Sequence, residues 1–424
     1  MRVLLLADDC NPGWASLPVV GFKLCRAIAE HADVVVATHV RNRPNITRAG
    51  FGRARVEYID NEYVAAPLYQ LARFVRRGDK VAWTANVALA YPSALAFEYE
   101  VWRRFGQALS RREFDVVHRV TPMSPTIPSP IASWSPVPFV IGPLNGGLRW
   151  PSQFTSELHR EREWLTYVRG AHRLLPYYRA TYARAAAILA AFDHTVADLP
   201  ESARGRVIQC PEVGIDPELF ASPRDRSVTD RVTFLFVGRL VPYKCADVLV
   251  HAFSMSEVLR RHRLIVVGDG PERARLGSMI REHKLESCVE LRGWKDQAEV
   301  GELMRSSDVF AFPSIRELGA GVVVEAMACG LPCVVVDYGG PGGLISHTIG
   351  VKVKLGAKAW LEREFARELE QLALAPDRRA ELGRAAARRA LIEYGWDAKA
   401  RKLLRVYEWV LGRADRKPEL YAGA

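Results

Sequence analysis

The sequence of 424 residues lacks the cysteine patterns that cross-link small secreted domains or bind zinc. Its seven cysteines are odd in number, scattered, and without any C-x-x-C pair: Cys10, Cys25, Cys210, Cys245, Cys288, Cys329 and Cys333. A disulfide framework is typical of an even number of cysteines in a short secreted chain, and a zinc site of C-x-x-C pairs, so neither is predicted. We expect reduced thiols, buried as small apolar side chains, in a cytoplasmic protein.

Long hydrophobic runs are also absent. The N-terminal run Met1–Ala7 is short and is followed at once by two acids, which is not the pattern of a signal peptide. The longest stretch without charge, Val81–Phe97, falls short of the ~20 strongly apolar residues that a membrane-spanning helix needs. The sequence therefore predicts neither a signal peptide nor a transmembrane helix.

Acidic residues are in deficit, since 48 of them face 59 lysines and arginines and leave a net charge of +11. Such an excess fits nucleic acid, an anionic membrane surface or a phosphate-rich substrate. Two amphipathic stretches, 61–113 and 152–185, are dense in Arg, Tyr, Trp and Leu. They are interpreted either as helices with a basic outer face or as a surface that rests on lipid headgroups.

Short apolar runs alternate with helical segments along the whole chain, which predicts parallel sheets covered on both faces. The candidate strands of the first half are Val3–Ala7, Asp33–Ala37, Val56–Ile59, Asp115–Val120, Phe139–Gly142, Ala186–Ala190 and Val207–Gln209. Those of the second half are Thr233–Val237, Leu264–Val267, Val289–Arg292, Val309–Phe312, Cys333–Val336 and Val351–Val353. Because the series appears twice, we predict an α/β protein with two Rossmann-like, doubly wound domains.

A proline- and glycine-containing stretch from Pro211 to Phe220, followed by a polar loop, marks a boundary near residues 205–225. We assign residues 1–210 to an N-terminal domain and residues 211–395 to a C-terminal domain. Residues 396–424 follow as a helix with apolar spacing that is free to pack elsewhere.

The most informative segment runs from Val309 to Gly330. A strand ends at a Pro-Ser turn, a loop presents Glu317, and a helix begins near Gly319 and Gly321 and carries Glu325. Ligands of open α/β sheets bind beyond the carboxyl ends of the strands, where a helix start offers free N–H groups to an anion.

Two further strand ends carry glycine. Gly238 is followed by Arg239 and Lys244, two cations that can reach a diphosphate, and Gly268 and Gly270 follow the next strand. The second pair is not a dinucleotide-binding fingerprint, since Arg273 occupies the place of its last glycine.

In this order and spacing, the motifs Gly238-Arg239-Leu240 with Lys244, Gly268-Asp269-Gly270-Pro271, and Glu317 with Glu325-Ala326 resemble the family 4 retaining glycosyltransferases of GT-B architecture. The resemblance spans most of residues 205–411. It implies two domains that face a central cleft, with the last helix crossing back to the N-terminal domain.

The resemblance also implies residue roles, most of them in binding the donor. Arg239 and Lys244 would bind the donor diphosphate and stabilise the leaving group, while Glu317 would hold the hydroxyls of the donor sugar. Glu325 would hold the ribose. Backbone N–H groups would contact sugar or phosphate at Gly319, Ala320 and Gly321. No metal or other cofactor is implied, and the sequence contains no Asp-x-Asp signature.

The first half matches the family more loosely. Gly13 follows the first strand in a donor-facing loop, and His118 lies where relatives carry the first histidine of a His-x-His pair, with Val120 in place of the second. We therefore weigh His118 as a catalytic residue against a structural one. Asn145 and Gly146 close another strand and are candidates for contacts with donor or acceptor.

The leading hypothesis is a retaining, metal-independent hexosyltransferase that uses a nucleotide diphosphate sugar, with a UDP-sugar ranked ahead of a GDP-sugar. Its acceptor would be a cell-envelope, polysaccharide or lipid-linked glycan. Peripheral association with the inner face of an anionic membrane is a further expectation, and nucleic-acid binding is not expected. The alternatives are a sugar-nucleotide epimerase of the same fold and a non-catalytic nucleotide-sugar-binding subunit.

Overall fold

The computed structural model describes residues 1–75, 83–154, 170–221 and 231–421. Its internal contacts divide the chain into two compact units. The first unit consists of Met1–Gly147, Arg162–Glu212 and Trp396–Ala422, and the second of Leu148–Glu161, Val213–Gly395 and Gly423–Ala424. Parts of the two basic stretches considered above, residues 76–82 and 155–169, lie outside the described residues.

The first unit is built on one parallel sheet with the order β3-β2-β1-β4-β5-β6-β7. Its strands are β1 (Arg2–Ala7), β2 (Asp33–His39), β3 (Arg55–Ile59), β4 (Val116–Thr121), β5 (Phe139–Leu144), β6 (Ala187–Ala190) and β7 (Val207–Gln209). The α-helices described in this unit are Leu17–Ala29, Arg43–Ala49, Glu62–Val75, Trp83–Ser110, Ile131–Trp134, Tyr178–Arg184, Asp193–Asp198 and Trp396–Val410.

Both faces of this sheet are buried, as continuous apolar strands require. Val3 and Leu5 point to a core shared with the helix Leu17–Ala29, whereas Leu4 and Leu6 point to the opposite core beneath the helix Trp83–Ser110. The alternation follows from the two-residue period of a strand.

The helix Trp396–Val410 packs in the first unit, against the helix Leu17–Ala29. Leu403, Val406 and Tyr407 are fully buried there. Each buried side chain of this size removes apolar surface worth about 1.5–3 kcal/mol from water. Burial of the apolar stripe therefore accounts for where this helix docks.

The second unit contains a parallel sheet with the order β10-β9-β8-β11-β12-β13. Its strands are β8 (Thr233–Val237), β9 (Arg263–Val267), β10 (Val289–Gly293), β11 (Val309–Phe312), β12 (Cys333–Val336) and β13 (Gly350–Val353). The α-helices described here are Pro217–Phe220, Ala246–Met255, Arg273–Glu282, Gln297–Ser306, Gly321–Ala328, Gly339–Leu344, Lys358–Leu374 and Pro376–Tyr394.

These two sheets confirm the predicted α/β class, and every candidate strand corresponds to an observed one with ends that differ by at most two residues. The seven cysteines are all free and buried, as expected. Across the part of the chain that the structure describes, none of the helices is both long enough and apolar enough to cross a bilayer.

Candidate functional site

The order of the second sheet reverses between β8 and β11, which lie side by side although β9 and β10 separate them in sequence. Such a reversal opens a crevice at the carboxyl ends of the two strands, where ligands of doubly wound sheets bind. The loops that follow these strands begin at Gly238 and Pro313. They carry Lys244 and Glu317, so the sheet order itself brings these two residues to one place.

Lys244 and Glu317 form an ion pair in which the ammonium Nζ donates to Oε2 of the carboxylate. Their side chains are only 11% and 21% exposed. The ammonium also lies 4.8 Å from the centroid of the Phe312 ring. Such a shielded ammonium can exchange its carboxylate for another anion, such as a phosphate, with little competition from water.

Backbone hydrogen bonds join the loops that present this pair. The Ile315 amide donates to the Tyr243 carbonyl over 3.0 Å, and the Gly340 amide donates to the Glu317 carbonyl over 2.8 Å. A Cβ atom on Gly339 or Gly340 would come within 2.4 Å of a carbonyl oxygen of Glu317 or Leu318. Glycine is therefore needed at both positions, because the backbone there packs directly against the loop that carries Glu317.

The other predicted donor loops also pack backbone against backbone. A Cβ atom would lie 1.9 Å from the Gly238 carbonyl oxygen if placed on Gly268, and 2.4 Å from that of Leu240 if placed on Gly270. The Leu240 amide donates to the Asp269 carbonyl over 2.9 Å. These contacts give Gly268 and Gly270 a steric role that is independent of any ligand. A Cβ atom on Gly238 itself would meet its nearest neighbour, Phe236, at 3.4 Å, which is ordinary contact.

The predicted helix start is present, directly after the loop that carries Glu317. The helix Gly321–Ala328 follows Ala320, which has a left-handed backbone conformation with φ of 59°, and Gly319 is buried just before it. Glu325 lies on the second turn of this helix and is partly exposed. The structure thus places these four residues on the loop and helix that follow Glu317.

Arg239 is exposed in the same loop as Lys244. Among the described residues it forms no ion pair, and no hydrogen bond joins its side chain to Lys244 or Glu317. The structure therefore brings together two of the four predicted charged residues by direct contact, and the other two, Arg239 and Glu325, lie on the neighbouring loop and helix.

His118 lies in the first unit, in the middle of β4, and is fully buried. Its Nε2 donates to the Gly142 carbonyl over 2.6 Å, because a carbonyl can only accept, and its Nδ1 therefore accepts from the Tyr407 hydroxyl over 2.6 Å. Burial lowers the pKa of His118 to about 4, so the ring is neutral. Both nitrogens are used inside the protein, and this placement does not support the predicted catalytic role.

Asn145 is also buried, and its amide group donates to Glu212 Oε1 over 2.6 Å. Its side-chain oxygen accepts from Thr195 over 3.4 Å, and Thr195 also bonds Gly146. Asn145 thus ties the end of β5 to Glu212, one of the residues at which the chain passes from the first unit to the second. Gly13 is exposed, and its amide donates to Asn11 over 2.9 Å.

Sequence reasoning missed a polar cluster at the switch point of the first sheet, between β1 and β4. Asp8 follows β1 and accepts from the Thr121 hydroxyl at the end of β4 over 2.9 Å. Burial raises the pKa of the Asp8 carboxyl. Arg119 is almost fully buried beside it and donates to the Ile127 carbonyl over 2.7 Å. An acid directly after the first strand was the available signal.

Comparison with protein families and curated proteins gives matches in the same part of the chain. Residues 221–389 match the family described as Glycosyl transferases group 1. A D-inositol 3-phosphate glycosyltransferase of Thermobispora bispora is 31% identical over 210 residues, which cover 47% of this chain and 48% of that protein. A GDP-mannose-dependent alpha-mannosyltransferase of Mycobacterium tuberculosis is 34% identical over 179 residues, or 42% of this chain and 43% of that protein.

The chain therefore spans about half the length of the curated relatives it matches. Solved structures match over nearly the whole chain. HepE of Anabaena, crystallised with UDP, has a TM-score of 0.63 at 18% identity and covers 96% of this chain and 100% of its own. Sucrose-phosphate synthase from Thermosynechococcus elongatus has a TM-score of 0.65 at 17% identity and covers 98% of this chain and 100% of its own.

At these identities the solved structures establish the fold alone, which is the predicted GT-B class of two doubly wound sheets. The family match covers the loops that carry Arg239, Lys244, Glu317 and Glu325. Through this segment, the chain is similar to the glycosyl transferases group 1.

Proposed function

We propose that the chain transfers a hexosyl group, with retention, from a UDP-sugar to a cell-envelope, polysaccharide or lipid-linked acceptor. The observation that carries the proposal is the shielded Lys244–Glu317 pair at the β8/β11 switch point, inside the segment that matches the family. The pair combines one cation suited to a diphosphate with one carboxylate suited to sugar hydroxyls.

In this proposal Lys244 exchanges Glu317 for the donor diphosphate when the nucleotide sugar binds. Arg239, which is exposed in the same loop, adds a second cation, and the two together stabilise the charge that develops on the departing diphosphate. Glu317, released from Lys244, accepts hydrogen bonds from the donor sugar. Glu325 accepts those of the ribose, and the amides from Gly319 to Gly321 contact sugar or phosphate.

We take UDP as the donor nucleotide because HepE, a protein of the same fold, is solved with UDP and with UDP-glucose. The GDP-mannose-dependent relative makes GDP the competing nucleotide, and calorimetry with both nucleotides decides between them. The relatives named D-inositol 3-phosphate glycosyltransferase are named for a phosphorylated polyol, which supports an acceptor that carries phosphate. A phosphorylated acceptor also suits a chain with a net charge of +11.

The Lys244–Glu317 exchange gives the proposal a sharp test with calorimetry. Lys244→Ala should weaken UDP binding about 10- to 100-fold, as expected for one charge-assisted hydrogen bond. Glu317→Gln should bind UDP at least as tightly as the wild type, because Lys244 no longer has to leave a carboxylate, while its affinity for UDP-glucose and its transfer rate fall. Lys354→Ala, an exposed lysine of the same unit, serves as the matched control.

Several results would count against the proposal. If Glu317→Gln weakened UDP binding as much as Lys244→Ala does, the two side chains would not have separate roles. If UDP-glucose were converted to an epimer without any acceptor, the epimerase would be favoured. If wild type and Glu317→Gln were equally inactive while both bound nucleotide, the chain would be a binding subunit.

We also propose that the first unit rests on anionic membrane at the inner face. The turn Ala171–Leu174 exposes 85% of Leu174, and Tyr177 is 40% exposed beside the exposed arginines Arg173 and Arg179. Exposed apolar side chains with arginines beside them suit the interface between lipid headgroups and acyl chains. In sedimentation with phosphatidylserine vesicles, the wild type should pellet with the vesicles and Leu174→Ser should stay in the supernatant. Equal recovery of both with the vesicles would remove Leu174 from the contact, and no binding by either would remove the membrane claim.

A further inference from the structure

A short segment from the first half of the chain belongs to the second unit. After β5, the described residues 148–154 cluster with the second unit. We call Leu148–Phe154 the strap. Leu148 and Phe154 are buried at its two ends. The strap is therefore packed into the second unit and is not a loose connection.

Trp150, in the middle of the strap, contacts both loops that present the ion pair. Its ring packs edge-on against Tyr243, with ring centroids 6.3 Å apart and planes at 90°. The guanidinium carbon of Arg316 lies 5.0 Å from the centroid of the Trp150 ring. Tyr243 precedes Lys244 and Arg316 precedes Glu317 in sequence, so one indole packs against the neighbour of each partner.

The rest of the strap contacts the third loop around the site. The Tyr338 hydroxyl donates to the Arg149 carbonyl over 2.6 Å. A Cβ atom on Gly339 would come within 2.9 Å of a methyl group of Leu148, so the strap also packs closely against the start of the helix Gly339–Leu344. The strap thus touches the two loops that carry Lys244 and Glu317, and it also touches the turn Tyr338–Gly340, which packs against Glu317.

From these contacts we infer that Trp150 is a positioning residue for the donor site and that the strap is part of that site's wall. Aromatic pairs and cation–π contacts hold their partners in specific geometries. Because Trp150 fixes Tyr243 and Arg316, it keeps the adjacent Lys244 and Glu317 in the positions in which they bind the donor once their ion pair has opened. Pre-ordering of this kind lowers the entropy that binding costs.

This inference rests on the proposed function, and its test uses the full chain with UDP and UDP-glucose as probes. Trp150→Ala should weaken UDP-glucose binding about ten-fold, which is the combined size expected for one edge-on aromatic contact and one cation–π contact. Trp150→Phe keeps a ring at the same place and should recover most of the affinity. Trp360→Ala is the matched control, because Trp360 lies in the helix Lys358–Leu374 and donates to the Lys354 carbonyl over 3.2 Å.

A double-mutant cycle separates positioning from a general loss of stability. Arg316→Met should itself weaken UDP-glucose binding. If Trp150 acts through Arg316, adding Trp150→Ala to Arg316→Met should cost clearly less than the ten-fold loss that it causes alone. Fully multiplicative losses, or the same loss in Trp150→Phe as in Trp150→Ala, would overturn the inference.

Hydrogen exchange in the absence of any nucleotide keeps the test independent of the proposed function. Peptides that span residues 238–246 and 312–320 should exchange faster in Trp150→Ala than in the wild type or in Trp360→Ala. Unchanged exchange in both peptides would overturn the positioning role. If the wild type bound neither UDP nor UDP-glucose, the proposed function would fail. The exchange rates would then still show whether Trp150 orders the two loops.

Discussion

Replacement of Gly268 by alanine tests whether the glycines of the donor loops are required by backbone packing. Gly268 has φ of +135°, which residues with a side chain rarely adopt, and its new Cβ would lie 1.9 Å from the Gly238 carbonyl oxygen. Contacts of this kind do not fall below 3.0 Å, so the two loops must separate by about an ångström. The separation strains the Leu240–Asp269 and Gly268–Gly293 hydrogen bonds, which measure 2.9 and 2.8 Å.

These effects set the expected size of the loss. A residue forced into such a backbone conformation costs about 1–3 kcal/mol. Each buried backbone hydrogen bond that is lost adds about 1 kcal/mol. We therefore expect Gly268→Ala to lower the free energy of unfolding of the second unit by about 3–5 kcal/mol. Since Gly238 starts the loop that carries Lys244, UDP affinity should fall as well.

The assay is denaturant unfolding followed by circular dichroism, with hydrogen exchange to assign the transition to the second unit. Gly277→Ala is the control, because Gly277 lies in the helix Arg273–Glu282 and the nearest atom to its new Cβ is 3.6 Å away. This control should gain up to about 1 kcal/mol from helix propensity. If Gly268→Ala unfolded within about 1 kcal/mol of the wild type, close packing would not explain the glycine.

Three further predictions concern other parts of the chain. Tyr407→Phe removes the hydroxyl that donates to His118, and it should destabilise the first unit by about 1–3 kcal/mol without changing the transfer rate; a large loss of rate at unchanged stability would restore a catalytic role for His118. Burial raises the pKa of Glu98 to about 7, so the folded state holds a proton that the unfolded state releases between pH 4.5 and 7. The free energy of unfolding of the wild type, relative to that of Glu98→Gln, should therefore decrease by up to about 3 kcal/mol from pH 4.5 to pH 7. Denaturant unfolding of both proteins at the two pH values measures this difference. Equal pH profiles of the two proteins would contradict the assigned protonation. EDTA should leave the transfer rate unchanged, because Arg239 and Lys244 are proposed to neutralise the diphosphate; a loss that Mg²⁺ or Mn²⁺ restores would refute metal independence.

The sequence predicted the strands well because fully buried parallel strands appear as continuous apolar runs. Phe310 and Val334, for example, belong to short Val-, Phe- and Ala-rich runs bounded by polar turns, and both lie fully buried in the second sheet. Strand ends were less certain, since β5 continues two residues beyond Gly142. The two-sheet fold class followed from repetition of the same local pattern and is confirmed.

The sequence also placed Lys244 and Glu317 after strands, where a doubly wound sheet binds ligands. Their contact depends on the sheet order, because β8 lies beside β11 and this joins two residues that are 73 positions apart in the chain. Local periodicity contains no information about which strands become neighbours.

By itself the sequence determined what local patterns encode: the strands, the repeated α/β class and the loops that carry charge at strand ends. Only the tertiary structure decided which distant groups meet. His118 is hydrogen-bonded to Tyr407, which is 289 positions away in the chain, and Asn145 is hydrogen-bonded to Glu212. Trp150 comes from the first half of the chain but packs in the second unit. The physical reason is that hydrogen bonds and ring contacts depend on positions in space, and those positions are fixed only once the whole sheet has buried its two faces.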